Sequence, residues 1–127
     1  MKRSKIEVKP STGRGRGVFA IQPISRDEVI ESCPVIRFGP KYRAVLEATP
    51  LYDYLYSWSD DYREVAIALG CGSLYNHSGE PNAAYYTNRN RNEIDFVATR
   101  SIAAGEEITI SYLDSSDSAK KLWFKVV

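Results

Sequence analysis

Three short stretches of the sequence carry residues whose types and spacing could do chemistry. "GRGRGVFA" (13–20) alternates glycine with arginine and then becomes apolar. "GCGSLYNHSGEPN" (70–82) holds the only histidine of the chain, and "GEEITISY" (105–112) runs from two glutamates to a tyrosine. Glycine beside arginine suits a phosphate, an RNA or a cofactor that the backbone must approach closely. The residues around each stretch indicate which of these uses applies.

The glycine stretch completes neither of the two common nucleotide-binding patterns. The dinucleotide fingerprint needs a glycine at its sixth position and a helix after it, whereas this chain has Val18 there and strand-forming residues after it. The Walker pattern ends in Gly-Lys-Ser/Thr, which the stretch lacks. An arginine–glycine tract that binds RNA normally lies in a longer disordered region. By itself, the stretch is equally compatible with a glycine-rich turn before a strand.

The histidine and the cysteines form no recognisable motif by themselves. Asn76-His77-Ser78 is typical of a polar turn, and no Gly-x-Ser-x-Gly elbow supports a nucleophilic triad. One histidine with Cys33 and Cys71 is too small a set for a tetrahedral zinc site without carboxylates, so we expect no metal. We expect the two cysteines to be buried free thiols rather than a disulfide, because the sequence shows no export signal.

Composition limits the classes of protein that the chain can belong to. Its 127 residues suit one domain, and 43% hydrophobic with 26% charged residues is ordinary globular usage. The net charge of +1 argues against direct binding to nucleic acid or to an anionic membrane. No apolar run approaches the roughly 18 residues that span a bilayer. Because no apolar segment follows the basic start of the chain, we expect a soluble intracellular protein.

The elements that must position these stretches are predicted to be mainly short strands. A helix is predicted over 41–48 and ends before Pro50. "LYDYLYSW" (51–58) suits either a strand or a short helix, and "NRNRN" (88–92) suits a hairpin. A final helix that begins near Asp117 or Ser118 is also predicted. The predicted strands are 6–8, 18–21, 28–31, 34–38, 64–70, 83–87, 93–99 and 107–112.

Taken together and in this order, the three stretches resemble the SET-domain protein lysine methyltransferases. Gly15-Arg16-Gly17 followed by Val-Phe-Ala is similar to the cofactor motif of the family, Asn76-His77-Ser78 to its second motif, and 105–112 to its third. The resemblance covers about 6–113 and is greatest to the small stand-alone viral and bacterial members. It implies a mainly β (α+β) β-clip fold of small sheets with a pseudoknot-like C-terminal crossing. The whole chain, 1–127, is then one domain with a tail at 114–127.

The resemblance implies that the cofactor is S-adenosylmethionine. Gly15 and Gly17 let the backbone reach the methionine part of the cofactor, and the Arg16 side chain is available to its carboxylate. Asn76 and His77 contact the cofactor by side chain and backbone. The remaining expected cofactor contacts are Tyr112 and, from the tail, Trp123. The glutamates Glu106 and Glu107 are expected to anchor the crossing of the second and third motifs.

The resemblance also implies methyl transfer to the ε-amine of a lysine in a protein. Tyr112 is the expected catalytic tyrosine, and Tyr54 is the expected second one, with Tyr56 as its rival. Tyr85 is placed on the substrate side of the channel. Two departures are that Ser73-Leu74-Tyr75 stands where many members have Arg-Phe-Ile, and that no cysteine-rich segment follows Tyr112. Without that segment, one wall of the lysine channel is expected to come from the tail or from a second subunit in a homodimer. The alternative is that the tail only packs in the core.

The expected substrate is a histone tail or another basic protein. Acidic residues such as Asp53 and Asp61 would attract such a peptide, which could add to a sheet as an extra edge strand. Two alternatives come from other classes of protein. One is a non-catalytic SET-like interaction module, and the other is a nucleic-acid binder that uses Arg14 and Arg16.

Overall fold

The computed structural model describes residues 4–59, 61 and 63–111. The described residues form nine strands, one α-helix and one short 3-10 helix, which makes the fold mainly β. The α-helix is α1 (Pro40–Glu47), and the 3-10 helix is Pro50–Tyr54. The strands are β1 (Ile6–Ser11), β2 (Gly15–Ala20), β3 (Val29–Phe38), β4 (Leu55–Ser57), β5 (Val65–Ala68), β6 (Asn76–His77), β7 (Ala83–Asn88), β8 (Glu93–Ala98) and β9 (Glu107–Ile110).

The first sheet brings the three motif stretches side by side. Its strand order is β1-β2-β9-β6, with β1–β2 and β2–β9 antiparallel and β6–β9 parallel. Asn76 lies opposite Thr109, and His77 lies opposite Ile110. The interpretation of Asn-His-Ser as an isolated polar turn is therefore wrong, because its first two residues form a strand. This parallel pairing is how the second stretch meets the third.

The second sheet has the order β4-β5-β3-β8-β7, and one of its strands differs from the prediction made from the sequence. The two strands expected over 28–31 and 34–38 are a single strand, β3, with a bulge between Val29 and Glu31. Pro34 lies inside it without breaking it. The Leu69 N–H donates to the Pro34 carbonyl at 2.9 Å, and the pairing of β3 with β5 ends there because proline has no N–H to return.

The segment between β3 and β5 contains the predicted helix and both structures that were considered for "LYDYLYSW". α1 begins at Pro40, where proline at the first helical position costs no hydrogen bond, and it has no buried residue. Thr49 then accepts a hydrogen bond from the Leu51 N–H at the start of the 3-10 helix. Residues 51–54 belong to that helix, and Leu55–Ser57 form strand β4. The chain thus uses a helix and a strand in succession.

The hydrophobic core is one cluster that both sheets share. Val18 and Ile108 enter it from the first sheet, and Ile94 and Phe96 enter it from the second; each of these side chains is fully buried. The alternating burial along β8 (half-buried, buried, in turn) is the pattern expected when one face of a strand packs on a core. The shared core fixes the first sheet against the second.

No helix among the described residues is both long enough and apolar enough to cross a membrane.

Candidate functional site

The glycine segment, Gly15-Arg16-Gly17, opens strand β2 rather than forming a free loop. Gly15 has a φ of +76°, a left-handed conformation that side chains with a Cβ rarely adopt. Gly17 is needed for space instead. A Cβ on it would lie 2.4 Å from Oε2 of Glu107 and 2.8 Å from Nδ2 of Asn76. Glycine is therefore required at the two positions for different reasons: at 15 by the backbone conformation, and at 17 by the side chains of the other two stretches, which leave no room for a Cβ.

The Asn76 side chain joins all three stretches. Its Nδ2 donates to the Arg16 carbonyl at 3.0 Å and to Oε2 of Glu107 at 2.7 Å. Both amide hydrogens are used in this way, so the side chain has its carbonyl oxygen left for other contacts. From the sequence, Asn76 is predicted to contact the cofactor, and the structure adds that its amide group holds protein atoms.

Asn82 is a structural residue of the site. From the sequence it is identified only as the last residue of the second stretch. It is 1% exposed, and its Nδ2 donates to Oε2 of Glu106 (3.2 Å) and to the Glu107 carbonyl (2.9 Å). Its Oδ1 accepts from the Thr109 N–H at 2.8 Å. A buried amide with three such bonds fixes the start of β9. The sequence signal was a polar residue directly after Pro81, followed by a predicted strand.

The carboxylate of Glu106 closes the turn before β9. It accepts a hydrogen bond from the Ala103 N–H, which lowers the pKa of Glu106, and bonds from Asn82 and Arg100 act in the same direction. Glu107 accepts from Ser11 and Asn76 instead. The two adjacent glutamates thus anchor different parts of the crossing, as the sequence analysis expected of the pair.

His77 is half-buried beside the glycine turn. Burial of the ring lowers the pKa of His77, and the positive charge of Arg14 lowers it further. The imidazole is therefore mainly neutral at pH 7 and able both to donate and to accept a hydrogen bond. This places an uncharged ring, rather than a cation, next to Asn76.

Two of the expected channel tyrosines lie together. The Tyr56 ring packs edge-to-face on the Tyr85 ring, with centroids 4.9 Å apart, and both contact Phe96. Tyr85 is half-buried, whereas Tyr56 is 6% exposed and its hydroxyl donates to the Gly72 carbonyl at 2.7 Å. Tyr54 is 38% exposed and makes no ring contact with this cluster within the described ranges. The structure thus joins Tyr56 with Tyr85 and shows no such ring contact for Tyr54 within the described ranges.

Tyr75 was seen in the sequence only as a departure from the family pattern. It is 1% exposed, stacks on Phe96 with centroids 4.6 Å apart, and donates its hydroxyl to Oε1 of Glu31 at 2.7 Å. Burial raises the pKa of Tyr75, and the Glu31 charge raises it further. The side chain is therefore a hydrogen-bonded core residue directly before Asn76.

The two cysteines are free, as expected. Cys33 is buried in the core, and burial together with the Glu31 charge raises the pKa of its thiol. Cys71 is only half-buried, which differs from the expectation for that residue, and burial raises its pKa too. Neither thiol is activated as a nucleophile.

Several expected residues lie outside the part of the chain that the structure describes. They are Tyr112, Trp123 and the rest of the tail at 114–127, with the helix predicted there. Their roles stay predictions. Strand β9, which leads toward Tyr112, ends at Ile110.

Comparisons with known proteins agree with this architecture. The family model of the SET domain matches residues 15–113. A histone-lysine N-methyltransferase of Schizosaccharomyces pombe, described as specific for histone H3 lysine-37, is 36% identical over 124 residues, which are 97% of this chain and 79% of that protein.

Two solved structures are similar to this one. A Plasmodium falciparum protein proposed to be a histone methyltransferase has a TM-score of 0.69 and 33% identity, over 90% of this chain and 97% of its own. CpSET8 from Cryptosporidium has a TM-score of 0.71 over 88% of this chain and 59% of its own, and at 24% identity it supports the fold alone.

Proposed function

Because the chain belongs to the SET-domain family of protein-lysine methyltransferases, we propose that it transfers the methyl group of S-adenosylmethionine to a lysine of a histone. The observation that carries the proposal is the convergence of the three motif stretches on one side chain. Asn76 holds the Arg16 carbonyl and the Glu107 carboxylate at hydrogen-bond distance. This contact places the three stretches that carry the family pattern at one site.

S-adenosylmethionine, when bound, supplies a methyl group activated by a sulfonium. The groups at the glycine segment fit the polar ends of such a molecule. The Arg16 side chain is exposed and forms no salt bridge among the described residues, so it is available to a carboxylate. Asn76 Oδ1 is available to a donor group. We assign cofactor binding to Gly15, Arg16, Gly17, Asn76 and His77, with Tyr112 and Trp123 as further contacts.

The substrate lysine must lose its proton before it can react. Its reference pKa is near 10.4, so the neutral amine costs roughly 4.6 kcal/mol at pH 7. An aromatic environment that excludes water lowers this cost because it disfavours the ammonium form. We assign the channel to the aromatic cluster of Tyr56 and Tyr85, and Tyr54 stays the predicted second catalytic tyrosine. The hydroxyl of Tyr112 would orient the amine for in-line transfer.

The free edge of β4 is where we place the substrate peptide. Among the residues that the structure describes, β4 is the last strand of its sheet. The Trp58 N–H donates to the Glu64 carbonyl, so in the alternating antiparallel pattern the backbone groups of Leu55 and Ser57 face away from β5. The Ser57 hydroxyl is buried and has no hydrogen-bond partner among the described residues. An added strand would pair with this edge through the backbone groups of Leu55 and Ser57.

Acidic residues on both sides of β4 favour a basic peptide. Asp53 precedes the strand in the 3-10 helix, and Asp61 follows it. Hydrogen bonds from the Ser59 hydroxyl and from the Arg63 N–H lower the pKa of Asp61, which keeps this exposed carboxylate charged. These two carboxylates would attract a lysine-rich segment such as a histone tail, although Arg37 and Arg89 contact Trp58 directly after the strand. Since the relative from Schizosaccharomyces pombe acts on histone H3, that histone is the first substrate to test.

The experiment combines cofactor binding with product analysis. Isothermal titration with S-adenosylmethionine measures binding, and mass spectrometry of histone H3 incubated with protein and cofactor locates any added methyl group. We expect binding and methylation of a lysine. Binding without methylation of any histone or basic protein would favour the interaction-module alternative, and absence of cofactor binding would overturn the proposal.

A further inference from the structure

The carboxylate of Glu107 lies between donors from two different parts of the chain. Its Oε1 accepts from the Ser11 hydroxyl at 2.8 Å, and its Oε2 accepts from Asn76 Nδ2 at 2.7 Å. Ser11 is 7% exposed and lies opposite Gly15 in the β1–β2 pairing. Glu107 lies opposite Phe19 in the β2–β9 pairing. The carboxylate therefore ties the end of β1 to β6 across the strand that opens with the glycine segment.

This carboxylate determines which way the Asn76 amide points. A carboxylate only accepts hydrogen bonds, and the asparagine amide has one donor end and one acceptor end. If the amide were turned over, its Oδ1 would face the Glu107 carboxylate and the Arg16 carbonyl, which are both acceptors. The Ser11 hydroxyl occupies the other carboxylate oxygen and so holds Glu107 in position. The Asn76 carbonyl oxygen is thereby directed away from these groups.

The glycine segment lies directly against this arrangement. The space beside Gly17 is filled by Glu107 and Asn76 to the extent that even a methyl group would overlap both. The Arg16 carbonyl is held by the second hydrogen of the same amide. A change in the Glu107 side chain is therefore transmitted to Asn76 and through it to Arg16.

We propose that Ser11 and Glu107 are positioning residues that set the affinity for the cofactor. Their role is to orient the Asn76 amide so that its carbonyl oxygen and the glycine segment are preorganised for S-adenosylmethionine. Neither residue takes part in the methyl transfer itself. This inference rests on the proposed function, because it concerns the same site.

The test compares cofactor affinity with turnover in three variants. Ser11→Ala removes one hydrogen bond to the carboxylate, and Glu107→Gln replaces the double acceptor by a group with a donor. Glu28→Gln is the matched control, since the Glu28 carboxylate pairs with Lys5 and the Ser25 N–H and makes no hydrogen bond to Asn76, Glu107 or the glycine segment among the described residues. Titration calorimetry gives the Kd for S-adenosylmethionine, and initial rates on histone H3 give KM for the cofactor and kcat.

We expect the Kd and KM for S-adenosylmethionine to rise about threefold in Ser11→Ala and about threefold in Glu107→Gln, whose amide oxygen can still accept from Asn76 but without the negative charge. The kcat at saturating cofactor should stay within about twofold of wild type, because a positioning role for binding does not alter the bound transition state. Glu28→Gln should match wild type in all three constants. This split between KM and kcat would not arise from a general loss of structure.

The outcomes separate the inference from the proposed function. A wild-type protein that does not bind the cofactor overturns both. A wild-type protein that binds and methylates, with variants of unchanged Kd, overturns the inference alone. A fall in kcat equal to the rise in KM also overturns it. If Glu107→Gln does not fold, Ser11→Ala decides, since its smaller change leaves every backbone pairing intact.

Discussion

Asn76 and Glu107 are joined by a hydrogen bond of 2.7 Å between the Asn76 amide and the Glu107 carboxylate. The contact links residues 31 positions apart and connects the second motif stretch to the third. Its position also explains the glycine at 17, since any larger residue there would push the two side chains apart. The central site of the molecule is therefore built around a pair of polar side chains and the space that a glycine leaves for them.

Gly17→Ala should damage the site directly. Its Cβ would lie 2.4 Å from Glu107 Oε2, so one of the side chains must move. We predict a loss of stability of about 1–3 kcal/mol, as for other overpacked positions, and a rise in the Kd for S-adenosylmethionine of at least about tenfold. Denaturant unfolding and titration calorimetry measure the two effects.

Gly39→Ala is the matched control for that substitution. Gly39 has an ordinary φ of −68°, and a Cβ there would meet nothing within 4 Å. It should retain the cofactor affinity of wild type, and its loss of stability should be smaller than that of Gly17→Ala, because Gly39 is the N-cap of α1, where alanine is less favourable than glycine. Equal effects of the two substitutions would show that the contact at Gly17 has no special importance.

His77 should titrate below the ordinary value for histidine. Burial and Arg14 lower its pKa in the folded state, so above about pH 6.5 the ring is neutral in both the folded and the unfolded chain. As the pH falls below that value, the unfolded chain binds a proton that the folded chain does not, and stability is lost until the folded-state pKa is reached. The ring has the only imidazole signals in an NMR titration, because the chain has one histidine.

The same NMR titration of Arg14→Gln supplies the control. Removing the positive charge should raise the midpoint of His77 part of the way, since burial of the ring remains as the larger cause. A midpoint at or above 6.5 in the wild-type protein would contradict the environment described for His77.

Tyr56→Phe should affect stability through one hydrogen bond. The Tyr56 hydroxyl donates to the Gly72 carbonyl at 2.7 Å in the core, and phenylalanine keeps the ring contact with Tyr85 but not the bond. We predict a loss of about 1–1.5 kcal/mol in the free energy of unfolding. Tyr86→Phe is a suitable comparison, because Tyr86 is 53% exposed and should tolerate the change. Equal stability of both variants would argue against a buried Tyr56–Gly72 bond.

Asn82→Ala should be among the more destabilising single substitutions in this chain. The change removes three hydrogen bonds of a buried amide and leaves the Thr109 N–H without its acceptor. We predict a loss of about 2–3 kcal/mol in the free energy of unfolding. Asn90→Ala, on the exposed hairpin, serves as the control. A loss no larger than that of Asn90→Ala would contradict the role of Asn82 at the start of β9.

The sequence predicted the elements and the motifs better than the contacts between them. Helix α1 and most of the strands followed from periodicity and turn residues, and the motif pattern indicated Asn76 and the glycine segment. The two strands expected around Pro34 are one strand, because the effect of a proline depends on which way its nitrogen faces in the sheet.

Side-chain partners distant in the sequence were beyond the reach of local patterns. Ser11 and Glu107 are separated by 96 positions, and no periodicity connects them. The choice between Tyr54 and Tyr56 was open for the same reason. Alternation within "LYDYLYSW" does not tell which ring faces the core until β4 is paired with β5.

The most direct test of the central claim is mass spectrometry of histone H3 after incubation with S-adenosylmethionine and either the wild-type protein or Tyr112→Phe. With wild type, we predict one or more added methyl groups on a lysine. With Tyr112→Phe, we predict a strongly reduced rate, about 100-fold or more, and a Kd for the cofactor within about threefold of wild type. Equal rates for the two proteins would contradict the role of Tyr112. No methylated lysine on histone H3, on other histones or on any basic protein with the wild-type protein would contradict the account as a whole.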